Sequence, residues 1–496
     1  MSSEKLGEAL TFNVVSKIIQ PLFHVLTSVL IIRVVGVDLY GTYLFVTVFF
    51  GVLSPLYELG LDAALMRYNS EYIATNNPGK IRTLTVNVLK YKCIAWLLVS
   101  FSLIIFWHIF YPDMTMAAVY MSFYFLAGSF GTTFSTVLET FYEVKFPVLI
   151  GMIANFLKFA LIVSVVFLMP TVEMLILVGI VPVSLSSVIF YFKLRERLHV
   201  IPEEIHEDTG RIVKYSLSTM ARSIANAILV NRSEVIFIGT YGTKSDVAIY
   251  STSYSLSQRF LTFIQGFLGG LGYISMTKVY VQNPSRLKEE IARMTKFIFL
   301  FNIPILFWLF INARFLMLLL YGSVMLDAVT PFRLLLLIML SSLVMYPLYV
   351  IISAAEKMVT FTVITWVFTV VNITLDIVLI SRYGLYGAIL AVAIALLSQR
   401  AVLFIWIKRT FGNFIPGRSI GKCLVASIPM IVLLSITQPL FQEVSVPGVL
   451  LLAVLSLIGI ISYAFFIRVA KVVSEEDKKV LEKLNIPIVK YMLKWI

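Results

Sequence analysis

The sequence predicts an all-α polytopic membrane protein of about fourteen transmembrane helices, arranged as two pseudo-symmetric six-helix bundles plus two C-terminal helices. Three observations carry this prediction. Hydrophobic residues make up 59% of the 496 and charged residues only 14%, with a mean hydropathy of +0.93, whereas a soluble chain holds roughly 45–50% and 25%. The apolar residues fall in blocks close to the ~20 needed to cross ~30 Å of hydrocarbon. Lysine and arginine collect at alternate ends of those blocks, as expected of cytoplasmic loops.

The first block, 12–35, lacks a small-residue cleavage site and reads as a retained helix, not a signal peptide. Blocks 42–64, 88–110, 115–138, 147–168 and 172–192 complete an N-terminal bundle, residues 1–192. The polar stretch 193–213 reads as a cytoplasmic linker. A second bundle, 214–409, holds spans 214–239, 247–275, 295–312, 328–352, 359–381 and 386–407. The apolar stretch 313–321 is too short to cross and is placed at the interface. Spans 420–438 and 447–469 occupy residues 410–470. Residues 471–496 form an amphipathic cytoplasmic tail, opened by Ser474 and Asp477 at capping-box spacing.

With the N-terminus inside, twenty-nine of the forty basic residues lie at cytoplasmic ends, Lys80, Lys92 and Arg195 among them. Only Arg33, Lys244, Arg314, Arg333 and Arg382 lie at outer ends. One span too many or too few would swap the sides of every later loop and erase this asymmetry. Both termini are therefore assigned to the cytoplasm, and the protein to the cell (plasma) membrane.

The same asymmetry explains the net charge of +13. The surplus faces the anionic inner leaflet and gives no reason to invoke nucleic acid. Cys93 and Cys423 cannot build a disulfide framework or a metal site. His199 and His206, set among acidic linker residues, lack zinc spacing. No phosphate-binding loop of the G-x-x-x-x-G-K-[ST] type occurs, and no nucleophile–base or carboxylate-pair context points to an enzyme. No cofactor is expected.

Six basic residues remain inside the spans: Lys17, Lys158, Arg222, Arg232, Arg259 and Arg400. A charge at the bilayer centre costs about 2.5–3.5 kcal/mol on insertion scales, so such groups face a wet cavity or a partner. Acidic residues at similar depth are Glu58, Glu234 and Asp376. The balance is cationic and suits an anionic ligand. Helical spacing places Asn13, Lys17, Gln20, His24 and Thr27 on one face of the first span, around Pro21. Arg222 and Asn226 share a face of the seventh; Arg259 lies on the eighth, before Gly266, Gly269, Gly270 and Gly272. The candidate binding residues are Arg222, Arg259, Lys158, Lys17, Arg400, Arg232, His24 and Asn226. Five have a structural alternative. Lys17 would pair with Glu58, Lys158 would join a structural pair, Arg232 would compensate Glu234 or reach the outer interface, Arg400 would snorkel to the interface, and His24, like Asp376, would serve helix packing.

The two halves are weakly alike: "YGTYLFVTVF" (Tyr40 to Phe49) aligns with "VAIYSTSYSL" (Val247 to Leu256), as in transporters built of parallel repeats. "RVVGVDLYGTYLFVTVFFGVLSPLYELGLDAALMRY" (Arg33 to Tyr68) resembles the opening helix pair of the polysaccharide-transport branch of the multidrug/oligosaccharidyl-lipid/polysaccharide (MOP) exporter superfamily, on Gly36, Asp38, Tyr40, Gly41, Glu58, Gly60, Arg67 and Tyr68. "VNITLDIVLISRYGLYGAILA" (Val371 to Ala391) is similar to the branch's eleventh and twelfth helices. The resemblance implies a flippase for a lipid-linked anionic glycan, working by alternating access among membrane lipids, beside a glycan polymerase or glycosyltransferases. A monomer is expected. The alternatives are a cation-coupled multidrug antiporter of the same superfamily, which would want acidic cavity groups, and a non-transporting scaffold.

Overall fold

Inside a bilayer every backbone N–H and C=O must find a partner within its own segment, which leaves helices or closed barrels as solutions. This chain uses helices. A computed structural model describes residues 3–230, 232–260, 284–355, 357–412, 415–441, 443–475 and 477, and no strand occurs among them. It divides into two compact units, Met1–Ser251 with Thr365–Ala395, and Thr252–Ile364 with Leu396–Ile496.

The first unit begins with α1 (Ser3–Val34), α2 (Val37–Val52), α3 (Ser54–Glu58), α4 (Leu61–Ala74) and α5 (Pro78–Phe110). It continues with α6 (Thr115–Thr140), α7 (Lys145–Leu168), α8 (Val172–Arg195), α9 (His206–Val230) and α10 (Glu234–Tyr241). α6 packs along α8, and α7 along both α1 and α8. The second predicted span is thus three helices. Leu59 and Gly60 both take left-handed backbone conformations between α3 and α4, and a Cβ at Gly60 would collide with the Ser216 carbonyl on α9. Only glycine permits both that angle and that approach.

Helices α4 and α5 also run beyond their predicted spans and meet at Asn76 and Asn77. Their joined ends bury a core that includes Leu65, Tyr68, Tyr72 and Leu84. The linker is tied across it: Tyr72 donates to Asp208 at 2.9 Å, Lys80 pairs with Asp208 at 3.5 Å, Arg82 bonds the Val200 carbonyl and Arg197 pairs with Glu143. Lys92, grouped by sequence with the cytoplasmic ends, is instead 1% exposed. At the opposite end, Lys244 places its Nζ 3.9 Å from the Phe45 ring centroid and donates to the Gly239 carbonyl at 3.0 Å.

Helix α11, described over residues 244–260, starts in the first unit and continues into the second. The second unit then holds α12 (Pro284–Ile311), the short α13 (Ala313–Tyr321), α14 (Val329–Leu340) and α15 (Ser342–Ala354). Helix α16 (Met358–Leu375) runs through a π-helical turn, Asp376–Ile380, into α17 (Ser381–Phe411), which kinks at Gly384. The chain ends with α18 (Gly417–Thr437) and α19 (Val446–Val469), packed on each other. Beyond them Ser474 and Asp477 cap reciprocally, Ser474 N–H to Asp477 Oδ2 at 2.8 Å and Asp477 N–H to Ser474 Oγ at 3.3 Å. Both cysteines are free.

Among the described residues nine helical stretches are long and apolar enough to cross a membrane, one of them the continuous 53-residue Met358–Thr410. Length alone does not return the expected fourteen: breaks at Gly60 and around Arg232 divide two predicted spans into shorter helices, and the 53-residue stretch joins two others. The eighth span runs on into residues outside the described set, as do Gly266 to Gly272 and the tail from residue 478.

Candidate functional site

In the first unit α1, α6, α7 and α8 enclose a cleft of about 470 Å³. Small residues open it: Gly128 and Gly131 on α6, and Gly151 and Ala154 on α7, line its wall. Lys158 lies at one end, its Nζ 5.3 Å from the Tyr124 ring centroid, with the Tyr43 and Tyr124 hydroxyls as hydrogen-bonding neighbours. Gln20 and His24 enter from α1, one turn apart across Pro21. Asn155 donates from Nδ2 to the Gly151 carbonyl at 2.8 Å, leaving its side-chain oxygen as an acceptor. Glu139, in the last turn of α6, lies at the other end, and no described residue hydrogen-bonds or ion-pairs with it.

The structure therefore brings together Lys158 and His24 of the eight candidates. Lys17 is on α1, but its side chain lies outside the described set. Arg222 and Asn226 share a face of α9 away from the cleft, and Arg222 makes no hydrogen bond or ion pair with a described residue. Arg232 has a left-handed backbone and reaches the Ser251 carbonyl at 3.5 Å. In the second unit, Arg259 is half-buried on α11. Arg400 donates to the Ile338 carbonyl at 3.1 Å and to Ser341 Oγ. It thereby braces the break between α14 and α15.

Sequence reasoning missed two features of this kind. Glu139 sits so near a helix end that it reads as a loop residue. The second feature is a cluster of three buried side chains in the first unit, Glu234, Asn372 and Asp376. Glu234 is 1% exposed and Asp376 0%. Asn372 Nδ2 donates to Asp376 Oδ2 at 2.6 Å and lies 3.4 Å from Glu234 Oε1. Glu234 Oε2, Asp376 Oδ1 and Asn372 Oδ1 have no hydrogen-bond partner among the described residues. Two buried carboxylates joined through one amide, each with an unpartnered oxygen, can share a proton or bind a small cation. The π-helical turn begins at Asp376 itself, a distortion common at functional positions. Its signal in the sequence is an Asn and an Asp one turn apart in an apolar run.

The second unit carries an apolar groove of about 490 Å³ along α12, α18 and α19, lined by Phe301, Pro304, Trp308, Met430 and Ile460. Its polar atoms are turned to protein: Trp308 Nε1 donates to Ser456 Oγ at 2.7 Å, and the Tyr463 hydroxyl to the Leu300 carbonyl at 2.8 Å. The groove is suited to hydrocarbon.

Residues 6–272 match the family described as polysaccharide biosynthesis protein. No curated relative matches the chain. Among solved structures, an inward-facing multidrug resistance MATE family transporter of the MOP superfamily is similar over 81% of this chain and 98% of its own, at 14% identity and a TM-score of 0.66. The lipid II flippase MurJ, in an inward closed conformation, is similar over 93% and 97%, at 15% identity and 0.65. A MOP superfamily transporter from Pyrococcus furiosus is similar over 82% and 96%, at 14% identity and 0.59. At these identities the likeness is one of fold.

Proposed function

The chain belongs to the polysaccharide biosynthesis protein family, and from that premise we propose that it carries a lipid-linked oligosaccharide from the cytoplasmic to the outer leaflet. It is a multi-pass membrane protein of the MOP superfamily. The observation that carries the proposal is the cleft of the first unit: a hollow in a membrane-spanning bundle, with an ammonium group at one end and hydrogen-bonding walls. Such a hollow is costly to maintain in a bilayer unless a polar ligand uses it.

In this reading Lys158 neutralises the phosphate or pyrophosphate of a polyprenyl carrier. Alternating access of the two bundles, residues 1–192 and 214–409, then exposes the headgroup outside. Moving two negative charges outward across 100 mV, inside negative, gains about 4.6 kcal/mol at roughly 2.3 per charge. The Glu234–Asn372–Asp376 cluster supplies a second driving force by taking up a proton or small cation. The protein acts as a monomer in the plasma membrane, with both termini cytoplasmic, receiving its substrate from glycosyltransferases.

The test is translocation of a lipid-linked oligosaccharide in proteoliposomes. Lys158→Ala abolishes it while leaving insertion and folding intact; wild-type flipping by the variant would remove this site. The buried carboxylates favour one second reading, a cation-coupled antiporter for a positively charged small molecule. Transport of such a compound, with no movement of the glycolipid, would establish it.

A further inference from the structure

Resting on the flippase reading, we propose that the cleft of the first unit holds the saccharide portion of the substrate, and that Glu139 makes it selective for sugars without a negative charge. Between its charged ends the cleft is lined by His24 and by neutral hydrogen-bonding groups: Gln20, Thr132, Ser135, Asn155 and Ser186. A phosphate alone would call for clustered cations or backbone N–H groups. Hydroxyls and amides in a row match a ligand that donates and accepts along its whole length, as a sugar does. The volume of about 470 Å³ falls in the range of about 300–1,000 Å³ typical of small-molecule sites.

The direction of binding follows from the helices. Lys158 stands thirteen residues into α7 from Lys145, about 20 Å of helix at 1.5 Å per residue. Glu139 lies at the opposite end, where α6 finishes at Thr140. A phosphate at Lys158 therefore sends its sugars past Asn155 and Ser135 toward Glu139. The Ser135 hydroxyl donates to the Thr132 carbonyl at 3.1 Å and the Ser186 hydroxyl to the Pro182 carbonyl at 2.8 Å, so both oxygens remain acceptors for sugar hydroxyls.

Glu139 supplies the selectivity. It is half-buried, and its carboxylate has no donor among the described residues. An ionised carboxylate only accepts hydrogen bonds, so it fits the hydroxyls of a neutral sugar or the ammonium of an amino sugar. A uronic acid facing it would set two like charges together away from bulk water and would be rejected.

The test uses the full-length protein in lipid nanodiscs and three probes: bare polyprenyl pyrophosphate, the same carrier bearing an N-acetylhexosamine disaccharide, and the carrier bearing a uronic-acid disaccharide. Wild type binds the neutral glycolipid at least tenfold more tightly than either other probe. Glu139→Gln, equal in size, narrows the gap between neutral and acidic glycolipids to less than threefold without altering affinity for the bare carrier. Asn155→Leu removes the advantage of the sugar; Ser135→Ala, a smaller change, reduces it. Unchanged affinities for all three probes in these variants overturn the subsite and leave the flippase reading standing. Failure of wild type to bind any probe overturns both.

Discussion

Lys92 on α5 and Asp62 on α4 form an ion pair within the first unit, the lysine Nζ 2.7 Å from both carboxylate oxygens. Thr133 on α6 accepts from the same ammonium at 2.8 Å and donates to Asp62 at 3.1 Å, so three helices meet on one charge network. Breaking a buried pair leaves an uncompensated charge and costs about 3–5 kcal/mol, whereas an apolar replacement of both partners is often neutral. Lys92→Met should therefore lower the thermal unfolding temperature in detergent strongly, and Asp62→Leu/Lys92→Met should recover most of it. A double variant no more stable than the single one would show that the pair does more than neutralise itself.

Gly60 separates α3 from α4 at φ 67° and faces the Ser216 carbonyl. Ala there meets both backbone strain and a collision, and the loss should exceed the ~1 kcal/mol of an unstrained Gly/Ala exchange. At Gly36, φ is 115° but nothing lies within 4 Å of an added Cβ. Gly36→Ala should cost less than Gly60→Ala, and paired melting curves of the two variants measure the difference.

Neutralising one member of the Glu234–Asp376 pair should uncouple transport from its ion. Glu234→Gln and Asp376→Asn are expected to bind glycolipid normally but to lose acceleration by an imposed proton or sodium gradient. Flux in proteoliposomes with and without each gradient decides this. A gradient response equal to that of wild type would assign the carboxylates to packing alone.

Asp477 docks the start of the tail on α12, pairing with Lys296 and lying 3.3 Å from Arg293 Nε. Burial alone would raise its carboxyl, but hydrogen bonds from Lys296 and Ser474 and the Lys296 charge outweigh that and hold it below the usual carboxylate range. A depressed carboxylate stabilises the docked form at neutral pH, and the contribution vanishes as pH falls through the folded-state value. Hydrogen exchange at residues 471–477 should accelerate below about pH 4. Asp477→Asn should exchange fast at neutral pH and lose that dependence.

Much of the fold was legible in the sequence. Hydropathy is a local property: each apolar block commits its own backbone to a helix because lipid offers no other hydrogen-bond partner. The Ser474–Asp477 cap could be read for the same reason, since both partners lie within one turn. Lys158 and His24 were visible as charged or titratable groups in apolar surroundings. That they share a cleft with Glu139, while Arg222 faces elsewhere, was not visible.

The sequence by itself determined that this chain is helical, that it lives in a membrane and that it keeps costly polar groups there. Tertiary structure alone decided which of those groups meet. Lys92 reads as a loop cation until α4 and α6 close around it, and Asp376 reads as a packing residue until Glu234 is laid against it. Such contacts depend on where helices break and how they rotate against one another, and side chains far apart in sequence set both.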